Sequence, residues 1–129
     1  MKLTRNFALE ELTSRDGVPV PLALQANARS ICERAQKLRD LIQSPLVVSS
    51  GYRTASHNKK VGGAKNSEHL TASALDLTST IWTSPQLALL YQGLIDLGVV
   101  PDGGIGLYPP SKNSKMGWIH IDLGRSRRW

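Results

Sequence analysis

The sequence predicts an α+β fold: one small domain spanning residues 1–129, with a central antiparallel sheet flanked by helices. Three observations lead there. Helical periodicity is concentrated early and strand-like alternation late, the order expected of α+β rather than of alternating α/β units. No Pro/Gly/Ser-rich linker divides the chain. At 129 residues and 40% apolar, it can bury one real hydrophobic core.

The elements follow in order. "LTRNFALEELTS" reads as a short helix with Asn6 as N-cap before Phe7, Leu9 and Leu12. "SRDGVPVP" is a loop, because Gly17, Pro19 and Pro21 break any period. From Pro21 to about Gln43 runs the clearest helix, with Leu24, Ala28, Ile31, Ala35, Leu38 and Ile42 at steps of three and four. "SPLVVSS" reads as a short buried strand and "GYRTASHNKKVGGAKNSEHL" as a long polar loop. "ASALDLTS" alternates, with Leu75 and Leu77 on one face and Ala74, Asp76 and Thr78 on the other, which predicts a half-buried strand. Ser84 and Pro85 form an N-cap and first-turn pair for a helix that Gly98 ends. "GGIGLY" and "WIHIDLG" read as two final strands.

No apolar run approaches the roughly 18 residues of a membrane span. The start, "MKLTRNFALEEL", lacks an uninterrupted apolar stretch and a small-residue cleavage site, so we expect synthesis in the cytoplasm without a signal peptide. The single cysteine, Cys32, excludes an intrachain disulfide and a thiolate zinc cage, and its place on an apolar helix face predicts a buried, inert thiol. A net charge of +6, partly from the terminal "RSRRW", favours an anionic partner: nucleic acid, a membrane surface or an acidic cell-wall polymer. No helix carries a dense basic face, and 5% aromatic residues is too few for a base-stacking platform, so nucleic acid is not the expected partner. "VGGAK" lacks the spacing of a phosphate-binding loop, and Gly62 and Gly63 read instead as turn formers.

The chemistry lies in the histidines, of which there are three. In "GWIHIDLG" the period of two puts Trp118, His120 and Asp122 on one face and Ile119 and Ile121 on the core face. His120 and Asp122 then stand about 6 to 7 Å apart along the strand. A neighbouring strand can bring Asp76 onto the same surface, and His69 enters from the loop before it. Two imidazoles and one carboxylate suit a catalytic zinc ion, whose fourth position is left to a water of near-neutral pKa. Taken singly, each of these residues is equally readable as a satisfied polar group. His57, with no acid within ten residues, reads as a loop-organising histidine.

The stretch "SGYRTASHNKKVGGAKNSEHLTASALDL", with "GGIGLY", "WIHIDLG" and the final "RRW", resembles the M15 zinc peptidases. These include D-alanyl-D-alanine carboxypeptidases and bacteriophage endopeptidases that cut peptidoglycan peptides. The family motif is S-x-H-x(6)-D followed later by a strand carrying His; Ser67, His69 and Asp76 match its first part and His120 the second. The resemblance runs more weakly upstream through "NFALEEL" and covers nearly the whole chain. It implies a small α+β domain shared with the hedgehog signalling domain, zinc on His69, Asp76 and His120, and peptidoglycan stem peptides as substrate. It implies that Arg53 faces the substrate, where its fork suits an oxyanion or a carboxylate, and that Ser67 helps to hold it. The chain departs from the family at Gly117, where many members place a glutamate as general base. Asp122 is then the expected base or the orienter of His120; otherwise it pairs with Arg125 or Arg127 as a structural group. The expected protein is a monomeric enzyme that fits a phage endolysin reaching the wall once the membrane is breached, with a bacterial housekeeping enzyme or a virion-associated lysin as alternatives. A carboxypeptidase and an L-alanyl-D-glutamate endopeptidase would carry the same motifs. The competing reading, supported by Gly117, is a non-catalytic zinc-containing module that binds cell wall or protein.

Overall fold

The computed structural model describes residues 1–129 as three α-helices and one five-stranded sheet. The helices are α1 (Gln25–Ile42), α2 (Ala55–Lys60) and α3 (Ser84–Asp96). The strands are β1 (Val47–Ser50), β2 (Ala74–Thr78), β3 (Gly104–Tyr108), β4 (Trp118–Asp122) and β5 (Arg127–Arg128), in the spatial order β1-β2-β4-β3-β5. The α+β class predicted above is the class found. The first four strands are antiparallel, as expected, whereas the two-residue β5 runs parallel to β3 and makes the sheet mixed.

Strand alternation sorts the sheet into two faces. Leu75, Leu77, Ile119 and Ile121 are fully buried and, with Val48 and Ile105, face α1 and α3. Each such side chain contributes about 1.5–3 kcal/mol by leaving water. The helices answer with their own stripes: Ala28, Ile31, Cys32, Ala35 and Leu38 from α1, Leu87, Tyr91 and Leu94 from α3. With one face closed this way, every polar side chain of β2 and β4 must leave from the other.

Several local expectations are revised. The first predicted helix is only a 3-10 turn, Leu9–Leu12, capped by Ala8, whose N–H donates to Glu11 Oε2 at 2.6 Å. Asn6 caps nothing; its amide groups pair with the Gln36 side chain of α1. The predicted polar loop contains α2 and a 3-10 turn, Glu68–Thr71. These are too short to carry an apolar stripe, and α2 buries only Asn58. Thr54 and Ser67 start them by accepting the N–H groups of His57 and His69. Strand β2 is buried on both faces rather than half-buried, because the 3-10 turn Glu68–Thr71 packs against it beside the cleft described below. The cap of α3 is Thr83, whose N–H donates to Gln86; the Ser84 hydroxyl instead donates to the Tyr108 carbonyl and ties α3 to β3. Gly98 does follow the end of α3, with φ +74°. No helix is long and apolar enough to cross a membrane.

Candidate metal centre

One rung of the sheet supplies the centre. Antiparallel register sets Ser50 opposite Asp76, Asp76 opposite His120, and His120 opposite Gly106. Asp76 and His120 are therefore direct cross-strand neighbours whose side chains leave the sheet together. His69 comes from the 3-10 turn before β2, clamped twice to the segment after β1: its carbonyl accepts Arg53 N–H at 3.0 Å, and its Nδ1 donates to the Gly51 carbonyl at 2.6 Å. Gly51 can lie there only as glycine, since a Cβ would stand 2.8 Å from the Leu12 backbone.

Both imidazoles have one nitrogen committed. The Gly51 carbonyl fixes the proton of His69 on Nδ1, and Asp122 Oδ2 fixes that of His120 on Nε2 at 2.8 Å. The lone pairs of His69 Nε2 and His120 Nδ1 then point at Asp76 Oδ1, at 3.3 and 3.1 Å. Three acceptor atoms thus converge within 4.8 Å with no donor between them, an arrangement that needs a proton or a metal cation. The two edges that meet at Asp76 Oδ1, 3.3 and 3.1 Å, fit zinc: a tetrahedron with bonds of about 2.0–2.1 Å has edges of about 3.3–3.4 Å. His69, Asp76 and His120 are all buried, so the centre is shielded yet opens on one side into a cleft of about 1130 Å³.

The electrostatics are those of a tightly paired cluster. Burial would raise the Asp76 carboxyl, but without a metal the proton that the cluster needs is shared with His120 and His69, and their hydrogen bonds and positive charge then outweigh burial and hold the group far below the usual carboxylate range. Burial would lower His120; its bonds to Asp122 and Asp76 reverse this and raise it. Asp122 is 1% exposed, and burial would raise it too, yet the His120 bond and the Gly124 and Gly104 N–H groups pull it down.

The structure gathers five of the residues singled out in the sequence around one cleft. His69, Asp76, His120, Arg53 and Ser67 line the cleft. Asp122 lies outside that lining, behind His120, with Oδ1 accepting from Gly104 N–H at 3.0 Å and Gly124 N–H at 2.9 Å. Ser67 spends its oxygen on the His69 N–H. Arg53 is 17% exposed; it pairs with Asp76 Oδ2 at 3.6 Å and donates to Ser50 Oγ and Asn58 Oδ1, both at 3.3 Å. His57 sits in α2, outside the metal-competent cluster.

Gly117 has a structural reason. Its φ is +70°, and a Cβ there would stand 2.3 Å from Ser84 Oγ and 2.4 Å from the Tyr108 carbonyl. No glutamate fits at this position in this fold. The carboxylates lining the cleft are instead Asp76 and Glu68.

The sequence reading missed the far wall. Tyr108 and Trp118, paired across β3 and β4, stack with ring centroids 4.6 Å apart. Trp129 lies over Gly106, where a Cβ would stand 2.5 Å from its ring, and sits 5.0 Å from the His120 imidazole. Gly104 makes the same kind of room for Asp122, whose carboxylate would be 2.4 Å from a Cβ. The signal was present in "GGIGLY": Gly104, Gly106 and Tyr108 alternate onto the face opposite Ile105 and Leu107.

No curated protein matches the chain. A family model described as Peptidase M15 matches residues 3–99, which contain the Ser67, His69 and Asp76 motif and most of the scaffold behind it. The match stops short of β4, and the sheet register brings His120 to the motif from beyond it. On the matched residues and the His–Asp–His cluster they help to build, this chain belongs to the peptidase M15 family.

Proposed function

We propose that this protein is a zinc-dependent peptidase that hydrolyses a peptide bond in peptidoglycan stem peptides, in the manner of a phage endolysin. The observation that carries the reading is the convergence of His69 Nε2, Asp76 Oδ1 and His120 Nδ1 at zinc-ligand spacing on the floor of a peptide-sized cleft. His69, Asp76 and His120 would hold the zinc ion, which would supply Lewis-acid chemistry and the activation of water near neutral pH.

The protein's own groups take the remaining roles. Gly51 and Asp122 hold the two histidines in the ligating tautomer. Arg53 balances the second oxygen of Asp76 and reaches the cleft with what remains of its fork. Glu68, on the cleft wall beside His69, would serve as general base, because it is the cleft carboxylate left over from the ligand set, Asp122 is buried behind His120 and Gly117 admits no side chain. The cell-wall assignment rests on the family and on the net charge of +6, which suits an anionic polymer. This reading embraces both a D-alanyl-D-alanine carboxypeptidase and an L-alanyl-D-glutamate endopeptidase.

Incubation with purified peptidoglycan tests the reading. Chelator-sensitive, zinc-restored release of peptides is expected, and mass spectrometry of the fragments identifies the bond. Binding to the sacculus without any release would favour a non-catalytic wall-binding module, the reading that the missing glutamate at Gly117 supports.

A further inference from the structure

Three arginines line the cleft, and their donors are not equally committed. Arg128 is clasped by Gln92 Oε1, the Gly103 carbonyl and Asp102 Oδ1. Arg53 is held by Ser50, Asn58 and Asp76. Arg127 differs. Its guanidinium lies over the Trp129 ring, 4.7 Å from the centroid, and its one charged contact is Asp122 Oδ2 at 3.7 Å, beyond hydrogen-bond length. The side chain is 45% exposed. The indole restrains its position while its N–H fork stays free, so a planar anion could be gripped at reduced cost in side-chain entropy. The position is close to the chemistry: Asp122 Oδ2, the neighbour of Arg127, is also the atom bonded to the ligand-bearing His120.

We infer that Arg127, rather than Arg53, anchors a free carboxylate of the substrate, carried by the residue next to the scissile bond. The inference deepens the peptidase reading and rests on it for the identity of the substrate. A carboxylate is the anion that matches a single guanidinium fork through two parallel hydrogen bonds. The indole of Trp129 beneath the fork excludes water from one side and strengthens the pair. Selection for a charged carboxylate also selects against its carboxamide, which places an N–H₂ group against N–H donors.

The test uses two stem peptides that differ only in carrying a carboxylate or a carboxamide on the residue beside the bond identified from peptidoglycan. For the zinc-loaded wild-type protein, kcat/KM is expected to favour the carboxylate peptide by about 10- to 100-fold, the scale of a hydrogen bond to a charged group. Arg127→Gln should lower kcat/KM for the carboxylate peptide by a similar factor and for the carboxamide far less, so that the preference collapses; Arg127→Lys should restore part of it. Zinc stoichiometry and melting temperature should stay near wild type. Equal losses on both peptides, loss of zinc, or an unchanged preference in Arg127→Gln would overturn the inference. So would a wild-type enzyme that cuts both peptides equally well. Calorimetric titration of both peptides separates this failure from that of the parent reading: a wild-type protein that cuts neither peptide but binds the carboxylate form through Arg127 would refute the peptidase and keep the anchor. Absence of binding as well would remove both.

Discussion

Replacing Asp122 by asparagine swaps one buried oxygen for an N–H₂ group, and the geometry dictates where that group goes. Oδ1 accepts from Gly104 N–H at 3.0 Å and Gly124 N–H at 2.9 Å, so the amide oxygen must stay there. The N–H₂ group then takes the place of Oδ2, 2.8 Å from His120 Nε2 and 3.7 Å from the Arg127 guanidinium. Two donors cannot share the His120 contact. The imidazole responds by moving its proton to Nδ1, where it donates to Asp76 Oδ1, 3.1 Å away. The metal-free protein therefore keeps its hydrogen bonds and should lose no more than about 1.5–3 kcal/mol, the worth of a hydrogen bond to a charged group. The metal-loaded protein has no such escape, because a proton now occupies the ligating lone pair. Zinc Kd should rise about 10- to 100-fold, the usual effect of removing a histidine's outer carboxylate. That corresponds to about 1.4–2.7 kcal/mol less zinc-linked stabilisation at a fixed zinc concentration. Competition titration against a chromophoric chelator reads the affinity directly, and activity at saturating zinc should recover to within several-fold of wild type. An unchanged zinc Kd with turnover down by about 10²-fold or more would refute this reasoning and identify Asp122 as the general base after all.

Other outcomes follow from the same geometry. His120→Ala removes one of three convergent ligands and should leave less than stoichiometric zinc by metal analysis; full occupancy would rule out the ligand set. Glu68→Gln should keep zinc and fold while lowering kcat by about 10²-fold, and near-normal turnover would take Glu68 out of the proton path. Gly106→Ala drives a methyl into the Trp129 ring, 2.5 Å away, and should cost about 1–3 kcal/mol in chemical denaturation; a neutral effect would mean that the terminal segment is not seated on β3. Burial pushes the Cys32 thiol up to about 12, so alkylation at pH 8 should be undetectable in the native protein and complete in denaturant; rapid native labelling would contradict the packing of α1.

The amino-acid sequence by itself determined the elements that repeat a period and the side chains that period aligns. The stripe from Ala28 to Ile42 specifies α1, and the alternation of Ile119, His120, Ile121 and Asp122 specifies both a core face and a polar face of β4. Because side-chain direction in a strand follows from position alone, Asp76 and His120 were legible as partners once two strands were granted. Elements without a period were not legible. Helix α2 buries one side chain, and the turn Glu68–Thr71 is held by the Ser67 cap and the two clamps of His69 to the segment after β1, so their stability comes from contacts rather than from pattern. The division of labour among the charged residues was equally hidden. Arg53, Arg127 and Arg128 look alike in a sequence, and only packing decides that two are clasped by carbonyls and carboxylates while the third rests on an indole with its fork free. Asp122 could be read as base, orienter or surface partner until β3 placed the Gly104 N–H at its oxygen and β4 placed it behind His120. The glycines at 104, 106 and 117 carry no side chain to announce a role; their meaning is the space they leave, and space exists only after the chain has closed on itself.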